Sequence, residues 1–253
     1  MSIAENVAAI RQRINDAAFS CGRDPKDILL CAATKMNDAS AVRQAIAAGV
    51  DCCGENRVQE LTAKLAENAY AGKPVHFIGH LQTNKVKQVV GKVDLIQSVD
   101  SLHLLGAIDR EAERQGLTQE VLLEVNIGGE ASKSGFAKEE ILPAVEKMAN
   151  FAHIFVRGLM TVPPICQEVA ESQEFFSEIS ALSVDIRRKK YDNVSVDILS
   201  MGMSGDFETA IRCGSTMIRL GTAIFGPGIT PSLIRIDANI LGGNRYYEFL
   251  GFR

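Results

Sequence analysis

The chain opens on a helical rhythm and then switches repeatedly between two patterns. Over residues 4–20, Val7, Ile10, Ile14, Ala17 and Ala18 recur at helical spacing and share one face. Gly22 and Pro25 end that helix. From there, short apolar runs of strand length are each followed by a helix-like segment. The predicted strands cover residues 28–33, 50–54, 75–79, 93–98, 120–126, 155–160, 196–200 and 216–220. The helix-like segments between them cover residues 39–48, 57–70, 83–90, 101–115, 138–149, 168–188 and 207–211. The strand runs are almost continuously apolar, as parallel strands buried on both faces are.

Such β-α steps, eight within about 200 residues, are the arithmetic of an α/β fold of the (β/α)8 TIM-barrel type. A doubly wound open sheet uses the same alternation, so the pattern alone leaves it open. The chain has 253 residues, 46% of them hydrophobic, enough for the core of one large domain. Past Gly226 the character changes: Pro227, Gly228, Pro231, Gly242 and Gly243 crowd the sequence. The reading is a barrel over residues 1–226 and a C-terminal tail over 227–253 with no assigned role.

Charge narrows the function classes. Lys and Arg number 27 against 31 Asp and Glu, a net charge of −4. That balance offers no electrostatic reason to expect a nucleic acid or an anionic membrane as partner. Residues 1–18 carry Glu5, Arg11, Arg13 and Asp16, so they lack the apolar core of a secretory leader. No segment reads as a membrane span, and a cytoplasmic location is expected. The cysteines, Cys21, Cys31, Cys52, Cys53, Cys166 and Cys213, show no C-x-x-C and no zinc-ligand spacing. They read as reduced, mostly core thiols, and no metal site is expected.

In a barrel, chemistry sits where strands end and loops begin. The first predicted strand ends in Thr34-Lys35, the second in Gly54-Glu55-Asn56, and the third leads through Gly79 and His80 to Lys85. The fifth ends at Asn126, the sixth runs through Arg157 to Thr161, the seventh ends in Ser200-Met201-Gly202-Met203-Ser204, and the eighth in Arg219-Leu220-Gly221-Thr222. Lys35 is the most informative of these. An ammonium at the end of an apolar strand is desolvated, which favours the neutral amine that attacks an aldehyde. The same position also suits a lysine that merely snorkels to water. The seventh and eighth strand ends offer hydroxyls and glycines where barrels often hold phosphate, although capped turns use the same residues. His76 and His80 have no ligand partners at metal spacing and read as hydrogen-bonded histidines. Glu55 reads equally as an orienting group or a surface charge. No Walker loop, Rossmann fingerprint or nucleophile elbow is present in context.

Taken in order, these strings resemble the YggS/PROSC family of pyridoxal phosphate homeostasis proteins. They are Ala-Thr-Lys-Met at 33–36, Gly-Glu-Asn-Arg-Val-Gln-Glu at 54–60 and His-Phe-Ile-Gly-His-Leu-Gln-Thr-Asn-Lys at 76–85. Next come Glu-Val-Asn-Ile at 124–127, Lys-Ser-Gly-Phe at 133–136 and Arg-Gly-Leu-Met at 157–160. The last two are Leu-Ser-Met-Gly-Met-Ser at 199–204 and Arg-Leu-Gly-Thr-Ala-Ile-Phe-Gly at 219–226. The resemblance implies the barrel of the alanine racemase N-terminal domain and pyridoxal 5′-phosphate (PLP) as cofactor. It implies that Lys35 forms the Schiff base, that Ser200, Gly221 and Thr222 bind phosphate, and that Arg219 faces the pyridine nitrogen. Asn56 and His80 then stand beside the cofactor at the mouth.

An arginine facing that nitrogen keeps it unprotonated, which makes the ring a poor electron sink. Racemases that tolerate this draw a second base from a further domain and a partner subunit, and only 27 residues follow Gly226 here. The expected function is therefore a barely catalytic PLP carrier, a monomer acting in intracellular vitamin B6 homeostasis and passing PLP to apo-enzymes. A PLP-dependent amino-acid racemase and a cofactor-free Schiff-base lyase are the alternatives. Two departures from the family pattern stand out. Ser204-Gly205-Asp206 replaces the usual Ser-Asp-Asp, which puts the local helix cap in question. Residues 233–253 match nothing in the family.

Overall fold

The computed structural model describes residues 1–226 apart from 149, 165 and 167; the tail predicted over 227–253 lies outside the described residues. Eight parallel strands close in chain order: β1 (Leu29–Ala33), β2 (Cys52–Glu55), β3 (Val75–Phe77), β4 (Leu95–Val99), β5 (Gln119–Val125), β6 (Ile154–Thr161), β7 (Val194–Ser200) and β8 (Met217–Leu220). The closing pair sets Cys31 of β1 beside Arg219 of β8. That pair excludes the open sheet, which the β-α alternation had left open, and makes the fold the TIM barrel that the family resemblance implied.

The outer layer comprises α1 (Ile3–Ser20), α2 (Ala39–Ala47), α3 (Val58–Ala66), α4 (Leu102–Gln115), α5 (Ile141–Met148), α6 (Val169–Arg187), α7 (Phe207–Arg212) and α8 (Thr222–Phe225). Ser2 and Glu5 start α1 with a reciprocal capping box. The buried face of α1, Val7, Ile10 and Ile14, packs in one cluster with Phe207, Ile211 and Ile224. Helix α1 thus covers the flank that α7 and the one-turn α8 are too short to close. Ser101 caps α4 through the Leu104 amide at 3.2 Å, and Gly116 ends it in the left-handed conformation. The helix predicted over 83–90 is instead a 3-10 helix over Thr83–Gln88.

Strand alternation divides two cores. In β1, Leu30 and Ala32 pack outward with the α1 cluster, while Cys31 packs inward with Cys52 and Met217. Leu95, Leu122 and Met160 form a second inward cluster, and Ile198 packs against both. Closure forces β6 and β7 together at Gly158, where a Cβ would stand 1.8 Å from the Ile198 carbonyl oxygen; only glycine fits. The sequence groups Arg157 with the residues that end the sixth strand. It lies within β6 instead, paired with Glu120, the second residue of β5, at 2.8 Å and with Asp197, in the middle of β7, at 3.6 Å, short of the C-terminal strand ends.

Candidate functional site

Lys35 follows β1 in an exposed turn. The burial expected of it at an apolar strand end is therefore not found in the protein itself. The turn itself is tightly held. Met36 adopts φ 62°, an uncommon left-handed conformation for a residue with a side chain, and its amide donates to Glu60 Oε2 at 2.7 Å. Before Lys35, the Thr34 hydroxyl donates to Glu55 Oε1, and Lys64 Nζ donates to the Thr34 carbonyl at 2.7 Å. Glu55 and Lys64 form a buried ion pair, with side-chain exposures of 0% and 7%. Glu55 is therefore an orienting group and not a surface charge. Lys64 had no signal in the sequence, because a lysine on a helix reads as a solvated charge.

On the other side of β1, Arg219 points into the barrel, 6% exposed. Its Nη1 donates to the carbonyl and the hydroxyl of Ser200, both at 2.7 Å, and its Nη2 to the Thr161 carbonyl at 2.8 Å. Three of its five donors are thus placed on neutral oxygens. Burial pushes the Arg219 guanidinium below its ordinary range, opposed by Cys31, Glu124 and Asp206. Glu124 is raised by its own burial and by Asp100, with Arg219 and His80 opposing.

Ser200 is wholly buried, and its hydroxyl also donates to Gln97 Oε1 at 2.7 Å. Gln97 Nε2 donates in turn to His76 Nδ1 at 2.8 Å. A polar chain thus descends through the barrel interior from Arg219 through Ser200 and Gln97 to His76. Below it the thiols of Cys31 and Cys52 meet. The Cys52 thiol holds Cys31 below the ordinary thiol range, against burial and with His76 and Arg219 assisting; Cys52 as donor is pushed up.

The hydroxyl that reaches Thr222 is that of Ser204, with Oγ and Oγ1 3.4 Å apart. Ser200, assigned to phosphate from its string, sits one layer deeper, and its hydroxyl is committed to Gln97 and Arg219. Gly202, at φ 101°, turns the chain between the two serines. Gly221 lies against β1, where a Cβ would be 3.4 Å from the Ala33 carbonyl oxygen. The Gly205 departure is structurally mild: a Cβ there would meet open space, and Asp206 accepts from the Met203 amide at 2.6 Å.

Asn56 and His80 line one small cavity of about 170 Å³. A Cβ at Gly79 would stand 2.1 Å from the Asn56 carbonyl, so glycine lets the third strand end close on the second. Asn56 Oδ1 is buried without a hydrogen-bond partner. His80 is exposed, with Nδ1 3.1 Å from Ser134 Oγ and 3.2 Å from Asp100 Oδ2. Among the described residues no helix is long and apolar enough to cross a membrane.

The closed barrel, with a lysine, an arginine and two hydroxyls on the adjoining ends of β1, β8 and β7, is the alanine racemase N-terminal type, and residues 2–228 match the family model described as the alanine racemase N-terminal domain. The chain belongs to the family of pyridoxal phosphate homeostasis proteins. It is 39% identical over 225 residues to the pyridoxal phosphate homeostasis protein of Pseudomonas aeruginosa, covering 89% of this chain and 95% of that one. With the protein of that name from Escherichia coli it shares 37% over 227 residues, 88% of this chain and 96% of the other. PipY of Synechococcus elongatus, solved with PLP bound, superposes with a TM-score of 0.77 at 32% identity, covering 89% of this chain and 100% of that one.

Proposed function

We propose that this chain holds PLP through Lys35 at the barrel mouth and acts in intracellular PLP homeostasis with little catalysis of its own. The observation that carries this reading is the order of β7, β8 and β1 around the barrel. Paired hydroxyls, a buried guanidinium and an exposed lysine follow one another on those adjoining strand ends. Ser204, Thr222 and Gly221 form the phosphate cradle, and Ser200 supports Arg219 from below. The unpartnered Asn56 Oδ1 is the kind of orphaned acceptor that a bound group satisfies. The family membership and the PLP bound to PipY support the same reading.

When bound, PLP supplies an aldehyde for a lysine amine and a ring that withdraws electrons once its nitrogen is protonated. Arg219 stays charged at neutral pH and only donates, so a ring nitrogen facing it stays unprotonated. Among the described residues, two guanidinium donors remain for that contact after the three on Ser200 and Thr161. Glu55, Lys64 and Glu60 fix the turn from which Lys35 projects.

The proposed compartment is the cytoplasm, supported by the free state of all the cysteines. A monomer is the proposed state, since exposed large apolar side chains such as Phe19, Met36 and Val169 are dispersed along the chain. Apo PLP-enzymes are the proposed recipients.

Borohydride reduction followed by peptide mass spectrometry tests the central claim. The expected product is a pyridoxyl-phosphate adduct on Lys35, with loss of the visible absorption. A Lys35→Ala protein with an unchanged visible spectrum overturns it.

A further inference from the structure

One cluster lies below the barrel mouth, at the foot of the polar chain that descends from Arg219, and the proposed PLP role leaves its donor atoms unused. Cys31, Cys52 and His76 come from β1, β2 and β3, three neighbouring strands. Cys31 and Cys52 are register partners, and His76 pairs with Gly54 two residues beyond Cys52. Each of the three offers one donor atom, and these atoms all lie within 4.8 Å of one another. All three side chains are buried, at 0%, 3% and 6% exposure. Two sulfurs on one metal ion at about 2.3 Å each stand about 3.8–4.6 Å apart as the angle opens from tetrahedral to linear. The observed cluster is compatible with that span.

We propose that the barrel interior binds one Cu(I) ion through Cys31 Sγ, Cys52 Sγ and His76 Nε2. Three observations select the ion. The donor set is soft, and thiolate and thioether ligands favour Cu(I) over hard cations. The other sulfur packed against both cysteines is the thioether of Met217. The oxygen-rich shell that Mg(II) or Ca(II) demands is missing from this set of donors.

Charge separates Cu(I) from Zn(II). Arg219, the register partner of Cys31, is buried with its hydrogen bonds on neutral oxygens. A monovalent ion with two thiolates leaves one net negative charge beside that guanidinium. Zn(II) with the same ligands is neutral, adds no negative charge beside Arg219, and wants a fourth ligand. On binding, each thiol gives its proton to solvent and forms a sulfur–copper bond, with no change of oxidation state.

The outer partner of the imidazole is also in place. A metal-bound histidine orients itself by a hydrogen bond at its second nitrogen. Gln97 already lies 2.8 Å from Nδ1, which leaves Nε2 for the ion. With its amide turned over, Gln97 accepts from Nδ1–H through Oε1, and its Nε2 then faces the Ser200 hydroxyl in place of the bond that hydroxyl now donates to Oε1.

The protein as purified, carrying whatever PLP it holds, is titrated anaerobically with Cu(I) against bathocuproine disulfonate. The expected result is one equivalent withheld from the chelator, with a thiolate-to-copper ultraviolet band. X-ray absorption then shows two sulfur and one nitrogen neighbours. Cys31→Ser, Cys52→Ser and His76→Gln each weaken retention at least about tenfold, the scale that loss of even an outer partner reaches. Cys21→Ser, at an exposed position, leaves it unchanged. Failure of the wild-type protein to withhold Cu(I), a purely sulfur shell, or preferential uptake of Zn(II) overturns the proposal. The absorption measurement needs no variant, so the proposal stays testable even where a core substitution unfolds the barrel.

Discussion

Lys64 Nζ donates to the carbonyl of Thr34 at 2.7 Å, one residue before Lys35. The same ammonium is paired with Glu55, which accepts the Thr34 hydroxyl. A buried ion pair is thus built into the floor of the turn that presents Lys35, and its removal acts on stability and on the site together.

Lys64→Met leaves Glu55 charged, buried and without its cation. Breaking such a pair from one side destabilises by about 3–5 kcal/mol. Urea unfolding should show a loss of that order, together with weaker PLP retention. The double variant Glu55→Gln/Lys64→Met should recover much of the stability, because both charges are gone. Equal losses in the single and double variants contradict the account.

Ser204→Ala and Thr222→Ala should each weaken PLP binding about tenfold or more, since a hydrogen bond to a charged group contributes about 1.5–3 kcal/mol. Pyridoxal, which has no phosphate, should bind these variants as it binds the wild type. Ser200→Ala should behave differently, lowering stability by about 1–3 kcal/mol because Gln97 and Arg219 lose a buried partner. Fluorescence titration with both ligands, beside denaturation curves, separates the two serines.

Arg219→Glu places a proton acceptor where the guanidinium donates. The ring nitrogen can then hold a proton, and solvent deuterium exchange at the Cα of added amino acids should rise about tenfold or more, about 1.4 kcal/mol of barrier. NMR follows the exchange directly. A rate no higher than that of the wild type would show that the guanidinium does not limit the chemistry.

Glu124 supplies a pH signature. Its folded-state value is raised, first by burial and then by Asp100, so the native state binds more protons than the unfolded chain. Stability therefore falls as pH rises from the ordinary carboxylate range through the raised value. Glu124→Gln removes that loss. The variant should be more stable than the wild type at neutral pH, and the difference should shrink as pH falls below the ordinary glutamate range. Denaturant midpoints across that range check it, and a gap that widens toward acid contradicts the sign.

Lys35, Arg219 and Thr222 were legible before any coordinates, because apolar strand runs ending in polar residues announce the mouth of a barrel. Glu55 was visible but ambiguous: its neighbour in sequence, Asn56, says nothing of Lys64 across the β2–α3 connection. Ser204 and Ser200 sit in the same string and differ only in depth. Strand alternation sends Ser200 inward to Arg219, and the turn at Gly202 returns Ser204 to Thr222.

The sequence by itself determined the alternation of elements and the residues at the strand ends, because these follow from the lengths and periodicities of apolar runs along one chain. Barrel closure decided the rest. It set Arg219 beside Cys31, carried Ser200 to Gln97, and gathered Cys31, Cys52 and His76 around one point. Those contacts join residues whose spacing along the chain has no period, so only the packed interior, where each buried polar group must find a partner, could select them.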